Sequence, residues 1–263
     1  MTLVKNFTKL SLVNIFTKEE GKMREFIDLH SHILPSIDDG AKNMEESKKM
    51  LKQAWEEGIR EIIATPHFFV NKKNVSKEQI LKTISMLEEA MIELGFFIKI
   101  YPGNEIYYRS EVEELVEQGI VNTMAGSHYV LVEFDPMTEY SYLRNGILKL
   151  VSYGYTPILA HTERYECLFK NKDKLLRIKE HGSLIQVNSA TITKGIFDEM
   201  GRRGRYLMKK GLLDFISSDS HSMGKRSPRI REAAHILEKK MGTKKAEKIL
   251  FANPRAVIED RSI

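Results

Sequence analysis

Seven times along this chain a short apolar run gives way to a segment of helical periodicity, and that alternation restricts the fold more than any other feature. The runs lie at 26–32, 61–64, 97–101, 129–134, 157–160, 184–188 and 213–216. Asn43, with Glu46 three residues on, marks a capped helix start ahead of Leu51, Ala54 and Trp55. Ile80, Ile84, Leu87, Met91 and Leu94 form the stripe of a second helix. Helical patterns follow at 111–118, 142–153, 172–181 and 197–210, and two more, 230–241 and 244–251, close the chain. Strands alternating with helices run parallel through right-handed crossovers. The expected class is therefore α/β, with enough units to close a barrel. No low-complexity linker divides 25–263, which reads as one domain. Residues 1–24 read as an N-terminal extension, either a surface helix or a basic amphipathic segment.

The ends of these runs carry the chemistry. His30 and His32, His67, Glu105, Glu133, His161, and then Asp219 and His221 all fall at or just past the C-terminal end of a run. Residues i and i+2 share one face of a strand, so His30 and His32 project together. The loop beyond them adds the oxygen donors Asp38 and Asp39 before Gly40 permits a turn. In a parallel barrel the C-terminal strand ends form one rim, and active sites are built there. So many donors exceed the needs of one ion, which predicts a cluster of two or three metals with Glu105 as a bridge. Imidazole and carboxylate donors suit manganese, iron or zinc. His128 stands at the start of its run, and His181 and His235 belong to helical segments, so all three are left out of the site.

The single cysteine, Cys167, excludes an internal disulfide and a thiolate-only metal site, and fits a reducing, cytoplasmic compartment. It also excludes cysteine-based phosphoester chemistry, which needs arginine six residues later where this chain has Asp173. With 41 basic against 36 acidic residues the net charge is +5, a mild bias toward anionic partners. No aromatic and basic interleaving makes a track for single-stranded nucleic acid, so no nucleic-acid partner is expected. No segment has the length of a transmembrane helix, and the interrupted apolar pattern of 1–24 is not that of a signal peptide.

Asp28-Leu-His-Ser-His32, Ala64-Thr-Pro-His67, Gly103-Asn-Glu105, Leu131-Val-Glu133, Ala160-His-Thr-Glu-Arg164 and Ser218-Asp-Ser-His221 resemble the polymerase-and-histidinol-phosphatase (PHP) superfamily. More narrowly, His30-Ser-His-Ile-Leu-Pro-Ser-Ile-Asp-Asp-Gly40 with Ile63-Ala-Thr-Pro-His67 is similar to the CpsB/CapC/YwqE group of bacterial protein-tyrosine phosphatases of capsule and exopolysaccharide operons. The resemblance runs from about Arg24 to Asn253-Pro-Arg255; Thr162 departs from it, standing where many members have proline. It implies a distorted (β/α)7 TIM-like barrel of the PHP fold, with a manganese-dependent metal site at the C-terminal rim of its strands. One ion would take His30, His32, Glu105 and Asp219; a second would share Glu105 and add Glu133 and His161; a third would take Asp39, His67 and His221. Arg164 and Arg226 match family arginines and would bind phosphate through their planar forks. The implied reaction is hydrolysis of phosphotyrosine by metal-activated water, on a bacterial tyrosine autokinase controlling capsule synthesis. Histidinol phosphate or another small phosphomonoester is the alternative substrate; a metal-dependent nuclease and a non-catalytic regulator are the other classes weighed.

Overall fold

The computed structural model describes residues 25–263, so the expected extension at 1–24 lies outside the described residues. Among the described residues there are nine strand segments, seven on the expected runs and two, β3 and β5, outside them: β1 (Phe26–Ser31), β2 (Ile59–Ala64), β3 (His67–Phe69), β4 (Lys99–Pro102), β5 (Glu105–Tyr107), β6 (Tyr129–Glu133), β7 (Thr156–Leu159), β8 (Leu184–Asn188) and β9 (Phe215–Ser217). They form an α/β fold of parallel sheets, one in the order β1-β2-β4 and one in the order β3-β5-β6-β7-β8-β9. Every pairing is parallel.

Two of the expected strands are each followed by a further short segment that the apolar runs did not include. Pro66 has no N–H to give a ladder, and it separates β2 from β3. Opposite it, Gly103 and Asn104 separate β4 from β5. The breaks stay in register because the Pro66 carbonyl accepts both the Glu105 N–H at 3.2 Å and the Asn104 side-chain amide at 2.9 Å. At the other end of the order, the Asp219 N–H donates to the His30 carbonyl at 2.9 Å and the His32 N–H to the Ser220 carbonyl at 2.8 Å. The chain beyond β9 therefore lies against β1.

Strand β6 shows how this architecture sorts its side chains. Val130 and Val132 face the larger apolar core, shared with the helices. Tyr129 and Leu131 join a second core with Leu29, Ile63, Ile158 and Phe215 from other strands. Glu133 continues the Tyr129–Leu131 face by the two-residue period, so the polar strand ends stand directly on this second core. The helix Met44–Glu57 begins as the capping pattern predicts: Asn43 Oδ1 accepts the Glu46 N–H at 3.0 Å, and Gly58 ends the helix at φ 96°. The last helical stretch runs further than expected. A π-helical turn, Lys248–Ala252, lets the chain continue through Pro254 to Ile258, and Asn253 ties it to the Asp214 carbonyl at 2.8 Å.

Candidate metal centre

Eight of the donors read from the sequence converge at the C-terminal ends of the strands, in three interlocking groups. His30, His32, Glu105 and Asp219 form one, all buried. His32, Asp39, His67 and His221 form another, and His67, Glu105 and Glu133 a third. His161 stands beside the third group, its Nε2 2.8 Å from Glu105 Oε1 and 3.4 Å from Glu133 Oε2. His128 is elsewhere, at the opposite end of β6, where it pairs with Asp260 at 2.5 Å.

Glu105 is the centre of the arrangement. Its Oε2 lies 3.2 Å from His30 Nε2, 3.1 Å from His32 Nε2 and 3.1 Å from His67 Nδ1. Yet Glu105 Oε2, His67 Nδ1 and His221 Nε2 are buried without a hydrogen-bond partner. His30 and His32 turn Nε2 atoms toward each other at 3.2 Å. Donor atoms packed this closely share too few protons to satisfy them all, and buried polar atoms are rarely left unmatched. Cations between them would resolve the conflict, so the donor set fits the group of metals that its chemistry suggests.

The surrounding residues turn the imidazoles inward. His32 Nδ1 meets Asp38 Oδ2 at 2.7 Å, leaving Nε2 for the cluster. Asp38 Oδ2 also accepts the His67 N–H at 3.0 Å, and Oδ1 accepts the Gly40 N–H at 2.9 Å. His221 Nδ1 meets the Asp219 carbonyl at 3.0 Å. Gln186 Oε1 accepts the His161 N–H at 2.6 Å and lies 3.4 Å from His30 Nδ1. Partners of this kind fix tautomer and orientation in metal sites. His161 at φ 32° and Asp219 at φ 50° occupy the left-handed region that non-glycine residues seldom adopt. Such backbone strain clusters at functional sites.

Charge balance follows from this packing. Burial works against a charged His32, but the neighbouring Asp38 and Glu105 carboxylates outweigh it and carry its pKa up to about 10. His161, equally buried, is carried up to about 9 by Glu105 and Glu133. His221 goes the other way, down to about 3, through burial and the neighbouring His32 charge. Burial alone would raise Asp219, yet the field of His30 and of the other cationic neighbours holds it well below the ordinary carboxylate value.

Arg164 and Arg226 grip Asp219 from two sides, at 2.9 Å to Oδ2 and 2.7 Å to Oδ1. Their side chains are 36% and 41% exposed against 1% for Asp219, so both keep donors facing the opening. Asn188 adds a third hydrogen bond to Asp219 Oδ2, at 2.7 Å. Sequence reasoning missed four supporting residues: Asp28, Glu163, Gln186 and Asn188. The Asp28 carboxylate accepts the Ser218 N–H at 2.9 Å and holds the segment leading to Asp219; burial raises its pKa to about 6. Glu163 Oε1 accepts from the Asn188 N–H at 3.1 Å and the Thr191 hydroxyl at 2.8 Å, holding the turn that carries Arg164. Gln186 and Asn188 alternate on a strand that is otherwise apolar, and that was the available signal.

The family model for capsular polysaccharide synthesis, CpsB/CapC, matches residues 26–259. The tyrosine-protein phosphatase CpsB of Streptococcus pneumoniae is 34% identical, over 90% of this chain and 100% of that protein. Among solved structures, that of YwqE from Bacillus subtilis and CpsB from Streptococcus pneumoniae, described as unique metal-dependent tyrosine phosphatases, superposes with a TM-score of 0.84 at 29% identity, covering 90% of this chain and 96% of that one. The phosphotriesterase homology protein of Escherichia coli, at 14% identity and a TM-score of 0.55 over 90% of this chain and 98% of that one, shares the fold.

Proposed function

We propose that this chain, which belongs to the CpsB/CapC family of capsular polysaccharide synthesis, is a metal-dependent protein-tyrosine phosphatase that acts on a bacterial tyrosine autokinase. The observation that carries the reading is the convergence of five imidazoles on Glu105 and its neighbours, with two arginines beside them. The proposed ligand set places one cation on His30, His32, Glu105 and Asp219, a second on Glu105, Glu133 and His161, and a third on Asp39, His67 and His221. Manganese is the proposed metal, because hard carboxylate and borderline imidazole donors are mixed and the lone Cys167 stands apart from them. Such cations, when bound, activate water and offset charge on phosphoryl oxygens.

The chain's own residues do the rest. Arg164 and Arg226 orient the phosphoryl group with the donors that Asp219 leaves free. Asp219, clamped by both arginines and Asn188, keeps these groups in one geometry. The phenol of tyrosine has a free pKa of about 10, so its departure makes little demand on a general acid.

The same reading takes the two sheets as one distorted (β/α)7 barrel. The continuity of β2 with β3 and of β4 with β5 across Pro66 and Asn104 supports it, as do the bonds from beyond β9 to β1. It takes 25–263 as the phosphatase domain. It also takes the protein as cytoplasmic, consistent with the finding that among the described residues no helix is long and apolar enough to cross a membrane. The test is a comparison of the manganese-loaded protein on a tyrosine-phosphorylated bacterial kinase and on histidinol phosphate. Preference for the kinase is expected; faster turnover of histidinol phosphate would overturn the assignment.

A further inference from the structure

An aromatic wall stands one step outward from the donor cluster. Phe69 follows His67 by two residues on β3, and Tyr107 follows Glu105 by two on β5. His67 is paired with Glu105, and Phe69 with Tyr107, in the parallel register of these strands. The two-residue period therefore puts the aromatic pair on the same face as the donors, ~6.6 Å further toward the opening. The ring of Phe69 lies 5.4 Å from that of His67 and 5.6 Å from that of Tyr107. Lys72 covers Phe69 at 4.1 Å from the ring centre, and Arg109 stands 4.9 Å from the centre of Tyr107. Asn74 fixes the end of β3, accepting the Phe69 N–H at 3.0 Å and donating to the Phe69 carbonyl at 2.8 Å.

Beside this wall is a cavity of ≈ 360 Å³ that reaches from the donors Asp39 and His67 to Phe69, with Ile37 and Pro66 as apolar lining and Lys72 also in its wall. Its volume is within the range of small-molecule sites, and its polar end coincides with the donor cluster. We propose that this cavity is the leaving-group pocket, in which Phe69, backed by Tyr107, packs against the phenol ring of an aryl phosphate whose phosphoryl group sits at the donors. The assignment rests on the phosphatase reading above and deepens it: it makes selection for aryl over alkyl esters a property of Phe69. The ring's distance from the donors matches the reach of such an ester, whereas an alkyl ester presents no flat face to the wall.

The test uses the full chain loaded with Mn²⁺, phenyl phosphate and glycerol 2-phosphate as substrates, and calorimetric binding of phenylphosphonate and methylphosphonate. Phe69→Ala is expected to lower the aryl-to-alkyl ratio of kcat/KM by about threefold to tenfold, the scale of a lost aromatic contact. The phosphonate binding ratio should fall by a similar factor. Phe69→Tyr should hold both ratios within about twofold, since it keeps the ring face. Unchanged ratios in Phe69→Ala, or equal losses on both esters and both phosphonates, overturn the pocket. If the parent protein hydrolyses neither ester, the phosphatase reading fails, and the phosphonate ratio still decides whether Phe69 selects an aryl group.

Discussion

At Gly40 the backbone packs so close to His32 that a Cβ there would stand 2.2 Å from the His32 carbonyl oxygen and 2.6 Å from the His32 Cβ. The glycine is required by this approach and not by a left-handed turn, which is the role its sequence context suggests. Gly40→Ala should therefore displace His32 and lower bound manganese per chain, read by metal analysis after dialysis. Asp38→Asn keeps the shape but weakens the partner of His32 Nδ1; metal affinity should fall by ~10–100-fold, as for other losses of orienting carboxylates. Calorimetric titration reads that change, and parent-like affinity would remove Asp38 from the orienting role. Protons compete at the same nitrogens. With His32 raised to about 10 and His161 to about 9, both hold protons at pH 7.5 in the metal-free chain. Metal uptake on the proposed ligands must release them, so affinity should climb with pH until about 9 to 10. Proton release measured in buffers of different ionisation enthalpy checks the sign. Arg164→Ala should raise KM for a phosphotyrosine substrate more than it lowers kcat, because the arginine faces the opening.

Elements show where packing overrides local preference. Gly146 lies inside the helix Tyr140–Ser152, where alanine would ordinarily favour the helix. Here a Cβ would meet Tyr108 ring carbons at 2.7 Å and Phe134 at 3.1 Å. Gly146→Ala should destabilise by ~1–3 kcal/mol, the range for overpacking a filled site. Chemical denaturation measures this, and a stabilised variant would show that the Tyr108 ring yields. The capped start at Asn43 was legible because its signal is local: one side chain and a backbone N–H three residues on. The segments β3 and β5 were not legible. Each has three residues, too few to display a period, and each is held by pairing with neighbours distant in sequence. The π-helical turn before Pro254 was invisible for the same reason, since the tie from Asn253 to Asp214 is a tertiary contact.

For the whole molecule, metal binding and folding are linked on this reading, because the donors come from both sheets and several of their buried atoms have no hydrogen-bond partner. Mn²⁺ at 100 times its dissociation constant should add ~2.7 kcal/mol per site to stability, and a chelator should remove it. Thermal melting with and without Mn²⁺ tests this; identical melting curves would speak against a site held by these residues. The sequence by itself determined the parallel α/β alternation and the gathering of histidines and carboxylates at the ends of its apolar runs, because hydrophobic period and residue chemistry are written position by position. The tertiary structure alone decided that Glu105 lies at the centre and that Asp38, Gln186 and Asn188 aim its neighbours. It also decided that both arginines close on Asp219 and that Phe69 walls a cavity beside His67. Those relations join residues far apart along the chain, and only the paired strands bring such residues within a few ångströms of one another.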